Sequence, residues 1–317
     1  MRFHSPGGIS VSAVRQISFK IGRGEVVGLV GESGCGKSTT ALSLGRLLPP
    51  EKSAVSGSLK LRGRELLDLR EKELEKVRGT EIAYVFQEPS LALHPLQRVR
   101  DQVSDVIRVH RHWSRKRCRD EAREMLRAVG LPDSERFSSA YPHQLSGGQR
   151  QRVVVALALA CQPALIVADE PTASLDVLTQ AEILSLFRQL KEKLGVAMLL
   201  ITHNPAILVG LADRILVMYA GKIVEEGPFE EVIQEPLHPY TQGLLRSMLV
   251  APAKINHSLK EALPEILGQP PDPSCLPAGC AFEPRCPERM NVCASQNPAT
   301  ASPRADREVS CFLYGGD

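Results

Sequence analysis

The chain has 317 residues, 43% of them hydrophobic and 24% charged, the balance of a globular protein with room for one large domain and an appendage. A net charge of +3 is too slight to make nucleic acid or a membrane surface the main partner. No stretch approaches the roughly 20 apolar residues that cross a bilayer, and Met1-Arg2-Phe3-His4-Ser5 lacks the apolar core of an export signal, so the expected location is the cytosol.

Residues 25–30, Glu25-Val26-Val27-Gly28-Leu29-Val30, read as a buried strand entering a glycine-rich loop. Beyond the loop, Ala41, Leu44, Leu47 and Leu48 share one helical face. A polar, mostly helical insertion runs from about residue 88 to 161. Its basic stretch from Arg108 to Arg119 reads as a solvated helix face in preference to a surface for anionic lipid. Residues 164–168 form a second buried strand, and Ile183, Leu186, Phe187, Leu190 and Leu194 a helical stripe. Residues 197–202 read as a strand, and 216–219, 220–222 and 223–225 as strand, tight turn and strand. Short apolar runs alternating with helices predict a mostly parallel α/β core. From Pro252 to Pro277 the chain is proline-rich and aperiodic, as a linker or irregular wrap would be.

Gly31-Glu32-Ser33-Gly34-Cys35-Gly36-Lys37-Ser38 fits GxxxxGK[ST] between a predicted strand and a predicted helix that continues through Thr39. Glycines there let backbone N–H groups close on phosphate oxygens, and the helix N-terminus adds a positive dipole. ATP with Mg²⁺ is therefore the expected ligand, with Lys37 on the β- and γ-phosphates and the Ser38 hydroxyl on the metal. Cys35 fills a free loop position as a tolerated small residue. Asp169 and Glu170 end the strand 164–168, at the edge where α/β folds bind ligands. The expected division of labour gives Mg²⁺ to Asp169, and the attacking water to Glu170 as general base.

Leu145-Ser146-Gly147-Gly148-Gln149 matches the LSGGQ signature of ATP-binding-cassette (ABC) proteins, and the chain resembles that family along nearly its whole length. The resemblance implies a head-to-tail dimer, homo- or heteromeric, in which Ser146, Gly147, Gly148 and Gln149 cover the nucleotide of a second ABC ATPase subunit. It also makes Gln87 the Q-loop glutamine that senses Mg²⁺ and water, and Asp176 in Ser174-Leu175-Asp176 part of the loop crossing the dimer interface. His203 resembles the switch histidine that contacts the γ-phosphate, and Phe3 the aromatic that stacks on adenine. Tyr141-Pro142-His143, His238-Pro239-Tyr240-Thr241 and the Gly279–Pro287 segment resemble the oligopeptide/dipeptide/nickel importer ATPases. The implied fold is a P-loop NTPase core, a mostly parallel sheet flanked by helices. To it are added an antiparallel β-subdomain, a helical subdomain carrying the signature and an irregular Cys-rich C-terminal tail. Residues 1–250 form the ATPase domain and 251–317 the extension. The implied partners are transmembrane permease subunits and, indirectly, a solute-binding protein, at the cytoplasmic face of the membrane, with no nucleic acid. The family has a β-strand of several residues ahead of the aromatic, and that first strand is expected to be missing here or lost to a late choice of start site. Asn204 stands where Asp is usual, and His94 where Asn is usual.

Cys280, Cys286, Cys293 and Cys311 supply four soft ligands. A [4Fe–4S] cluster, tetrahedral zinc and metal-free thiols are the alternatives, and the absence of CxxC knuckles favours the cluster over zinc. Cys275 is a surplus fifth. Two other functions compete with transport. A cassette acting on nucleic acid or ribosomes usually has two cassettes or an inserted coiled coil, and this chain has neither. A redox sensor with a vestigial ATPase would not need intact motifs.

Overall fold

A computed structural model describes residues 1–4, 10–248 and 265–315. The chain divides into two compact units, one of Met1–Lys20, Val27–Gly57 and Thr202–Asp317, the other of Ile21–Val26 and Ser58–Ile201. Part of the proline-rich stretch expected over residues 252–277 lies outside the described residues.

In the first unit the strand Val26–Val30 is buried at every position, the uninterrupted apolar run of a strand covered on both faces. It pairs in parallel with Arg214–Tyr219, Ile215 opposite Gly28. That strand turns back on Lys222–Pro228 through Ala220 and Gly221, whose φ values of 44° and 82° suit a hairpin of left-handed residues. Two further strands, Arg307–Val309 and Ala301–Arg304, continue the order, with Val309 opposite Glu225. The tail expected to be irregular therefore ends in a sheet hairpin. Its inner strand alternates buried, exposed, buried, but an arginine holds one buried position, so the apolar pattern does not show in the sequence.

A separate antiparallel sheet sets Arg2–His4 between Ser10–Val11 and Ser53–Ala54, with Phe3 opposite Val11 and Ser53. The antiparallel subdomain is thus present, built around a three-residue strand that contains Phe3 itself. The helix behind the glycine loop spans Lys37–Leu44. Gly45 caps it and Arg46 turns left-handed at φ 49°, so Leu47 and Leu48 fall beyond the expected helical face.

Arg307 and Glu225, both 0% exposed, form an ion pair of 2.6 Å inside this unit. The Glu225 carboxylate also accepts the backbone N–H groups of Leu237 at 2.8 Å and His238 at 2.9 Å. His238 is 2% exposed, and its Nδ1 accepts the Tyr240 N–H at 3.0 Å. Burial lowers His238 from an ordinary 6.5 to about 4. The depressed value means that the unfolded chain takes up a proton that the fold refuses. Stability is full above about pH 6.5 and falls as pH drops through that window. Between pH 7 and 5 the folded protein should lose about 2 kcal/mol more than a His238→Asn variant, whose amide oxygen retains the acceptor. Urea melts at the two pH values measure this, and parallel losses would exclude it.

In the second unit Leu165–Asp169 lies between Ile82–Val85 and Ala197–Thr202, all parallel, with Val167 opposite Tyr84 and Leu199. The insertion expected to be helical contains Pro89–Ala92, Val99–Arg111, Arg115–Ala128, Glu135–Ser138 and Gly147–Leu159. Helices Val99–Arg111 and Arg115–Ala128 pack on each other, burying Val103, Ile107, Cys118 and Ala122. The helix Val177–Leu194 buries Ile183, Leu186, Phe187 and Leu190 as its stripe predicts, whereas Leu194 is exposed where Gly195 ends it at φ 57°. The basic stretch divides among local partners: Arg108 with Asp105, Arg111 on the Cys161 carbonyl, and Arg117 3.6 Å above the Trp113 ring.

Candidate functional site

The candidate site residues fall in both units. In the first, the strand Val26–Val30 delivers the chain into the loop Gly31–Gly36 and the helix Lys37–Leu44. A Cβ on Gly31 would lie 2.2 Å from the Met218 carbonyl oxygen. On Gly36, at φ 111°, it would lie 2.5 Å from that of Ala13. Only glycine fits either position. Lys37 is 6% exposed and stretches over the loop, its Nζ donating to the carbonyls of Gly31 at 2.7 Å and Glu32 at 2.9 Å. No side chain caps the helix N-terminus, so its first-turn amides have no side-chain acceptor of their own. Ser33, Gly34 and Ser38 are exposed there, and Thr39 is half-buried. A glycine cradle, an ammonium and free helix amides form a donor set for an anion such as phosphate. Burial pushes the Cys35 thiol up, consistent with a packing role. Phe3 is half-buried on its strand, and His203 is exposed beyond Ala197–Thr202. Asn204 caps the following turn, its Oδ1 accepting the Ala206 N–H at 3.0 Å, a task asparagine performs as well as aspartate.

In the second unit the acids sit where the sequence predicts, Asp169 as the last residue of its strand and Glu170 just beyond, both half-buried. Glu170 has φ 50°, a left-handed backbone that costs a non-glycine residue about 1–3 kcal/mol. Its N–H donates to the Ile201 carbonyl at 2.9 Å, which holds the strained residue at the strand end. The sequence carries no sign of that strain. Gln87 is exposed two residues beyond Ile82–Val85. The carboxylate at 169 and the hydroxyl of Ser38, each in its own unit, are hard oxygen donors of the kind Mg²⁺ takes.

Ser146 caps Gly147–Leu159: its Oγ accepts the Gln149 N–H at 3.2 Å, while Gln149 Oε1 accepts the Ser146 N–H at 3.0 Å. The polar-cap reading and the signature reading therefore describe the same residues. A Cβ on Gly148 would fall 2.4 Å from Thr179 Cγ2, so the signature is packed against the start of the helix Val177–Leu194. Asp176 caps that helix, accepting the Thr179 N–H at 3.0 Å and its hydroxyl at 2.8 Å. These bonds hold the Asp176 carboxyl below the usual range.

The four cysteines of the expected metal centre lie together in the tail. Cys280, Cys286, Cys293 and Cys311 are close enough for their thiolates to repel one another. Yet among the described residues no three His, Cys, Asp or Glu side chains are placed to hold a metal ion. Burial raises Cys280 and Cys311, and pushes Cys286 up to about 11. The four thiols are free, and Cys293 is buried while Cys280, Cys286 and Cys311 are half-buried. Two residues missed by motif reading also touch the loop, Tyr240, whose Oη accepts the Glu32 N–H at 2.8 Å, and Arg285. Both lie in segments singled out for other reasons.

The ABC transporter family matches residues 14–173, and the oligopeptide/dipeptide transporter C-terminal region matches residues 224–293. The oligopeptide transport ATP-binding protein AppD of Bacillus subtilis (strain 168) is 42% identical over 305 residues, 96% of this chain and 92% of its own length. The dipeptide transport ATP-binding protein DppD of the same organism is 43% identical, over 98% of this chain and 91% of its own. The oligopeptide transport ATP-binding protein OppD of Escherichia coli (strain K12) is 42% identical, over 93% and 86%. Among solved structures, the dimeric ATP-binding cassette MJ0796 in a post-hydrolysis state with ADP and Pi has a TM-score of 0.64 at 32% identity. That likeness covers 72% of this chain and 95% of the other.

Proposed function

This chain belongs to the ABC transporter family, and from that premise we propose that it is the ATP-hydrolysing subunit of an importer for peptides or a similar small solute such as nickel. The observation that carries the reading is the phosphate loop, where Lys37 bridges two loop carbonyls beside helix amides that no side chain caps. An incoming phosphate offers the ammonium stronger, charged acceptors than the loop's own carbonyls. Mg²⁺, held by Ser38, Asp169 and Gln87, would neutralise charge on the phosphates. Glu170 accepts the proton of the attacking water, Gln87 and His203 orient water and γ-phosphate, and Phe3 stacks on adenine. Ser33, Gly34, Cys35, Gly36 and Thr39 line the same cradle.

Ser146 to Gln149 and Asp176 serve the nucleotide of a second ATPase subunit, homo- or heteromeric. The exposed Val177 and Leu178 beside Asp176 support a partner surface there. No helix among the described residues is long and apolar enough to cross a membrane. The passage itself is assigned to transmembrane permease subunits, with a solute-binding protein delivering cargo and this subunit on the cytoplasmic face. Lys37→Ala removes a charge-assisted donor, so affinity for MgATP should fall roughly 10–100-fold. Calorimetric titration of the full chain measures it, and unchanged affinity would sink the assignment of this loop.

A further inference from the structure

The C-terminal segment, which the ATP chemistry leaves unused, reaches the phosphate loop within the first unit. Arg285 places Nη1 2.7 Å from Glu32 Oε2 and Nη2 3.0 Å from Glu32 Oε1, a fork on both carboxylate oxygens. The rest of the guanidinium is also engaged. Nε donates to the Leu267 carbonyl at 3.0 Å, Nη2 to that of Ile266 at 3.2 Å, and Nη1 to Tyr219 Oη at 3.3 Å. The Arg285 side chain is 5% exposed and Glu32 23%, so solvent and salt screen the pair little. Glu32 is itself a loop residue, held at three points: its carboxylate by Arg285, its N–H by Tyr240 Oη, and its carbonyl by Lys37. Phe282, three residues before the arginine, packs edge-on against Tyr219 and Tyr240 with centroids 5.2 and 5.4 Å away. The aromatic wedge fixes where the arginine can stand.

We propose that Arg285 is a positioning residue of the ATP site, clamping the phosphate loop through Glu32 so that nucleotide affinity depends on the C-terminal segment. This rests on reading the loop as the ATP site. A loop already held in its binding shape loses less conformational freedom when the phosphates arrive, and that saving appears as affinity. The staple is a side-chain contact between the tail and the loop.

The test is calorimetric titration of the full chain with MgATP, using Arg285→Met, Glu32→Gln and the double variant. Arg285→Met keeps the length of the side chain and removes the fork, while Glu32→Gln leaves every other bond of the segment in place. Each single variant should bind about tenfold more weakly. The double should bind no more weakly than either, because both break the same link. Arg285→Lys keeps the charge without the fork and should recover part of the loss, a recovery that a purely structural role of the arginine would not produce in nucleotide affinity. Circular dichroism confirms that each variant is folded, and Glu32→Gln carries the test alone if Arg285→Met is not. Affinities within twofold of the original for the singles, or losses that multiply in the double, overturn the proposal. With Lys37→Ala weakened alongside, such a result leaves the ATP-site reading standing. If Lys37→Ala also binds normally, both fall.

Discussion

Glu170→Gln should lower ATP hydrolysis by roughly 10²–10⁴-fold, the usual contribution of a positioned general base, while MgATP binding is retained. Glutamine matches glutamate in size and can keep both the φ of 50° and the N–H bond to Ile201, so the local backbone is preserved. What it loses is the ability to accept a proton from water. Because binding needs the loop and Lys37, which the substitution leaves alone, affinity and turnover should separate. Nucleotide should accumulate unhydrolysed in a two-chain complex, since the step that reopens the pair is blocked. Phosphate release and size-exclusion chromatography with MgATP measure the two effects. Hydrolysis above about a tenth of the original rate would assign the base elsewhere.

The second large effect is on stability. Arg307→Met should cost about 3–5 kcal/mol, the usual penalty for leaving a buried charge without its partner. Few single-chain folds have more than 5–15 kcal/mol in total, so much of the protein should fail to fold near physiological temperature. The reason is Glu225, which is 0% exposed and loses the cation at 2.6 Å while keeping the two N–H donors from Leu237 and His238. Arg307 also holds the Glu235 carbonyl at 3.0 Å. Gly227 clears its path, since a Cβ there would sit 2.3 Å from the arginine Cδ. Replacing both partners, as Arg307→Met with Glu225→Gln, removes the charge together with its counter-charge and should cost clearly less. Urea denaturation of the three chains decides it; a single-variant loss below 1 kcal/mol, or a double no better than the single, would show that the pair does not hold the sheet.

Most of the candidate site was legible in the sequence because its chemistry is written in contiguous residues. The cradle needs Gly31 and Gly36 at fixed offsets from Lys37, for the steric reason the collisions with Met218 and Ala13 make plain. The acid pair follows its own strand, and the signature is a helix cap closed between residues three apart. The strand and helix periods around them follow the same local logic. In the Cys-rich tail, cysteine spacing states only which ligands are available. Whether the thiols converge on an ion depends on how the chain packs, and burial raises the Cys280 and Cys286 thiols.

The sequence by itself determined the α/β core, the phosphate loop, the acids at the strand end and the capped signature, since each depends on residues within one turn or one strand of each other. The tertiary structure alone decided that the last strands join the core sheet beside Lys222–Pro228, that Arg307 meets Glu225 from 82 residues away, and that Arg285 meets Glu32 from 253 residues away. An arginine destined for a buried carboxylate has no local mark among 39 lysines and arginines. Its partner is chosen only when strand order and an aromatic wedge bring two distant segments into one place shielded from water, where either charge without the other would lack both solvent and a counter-charge.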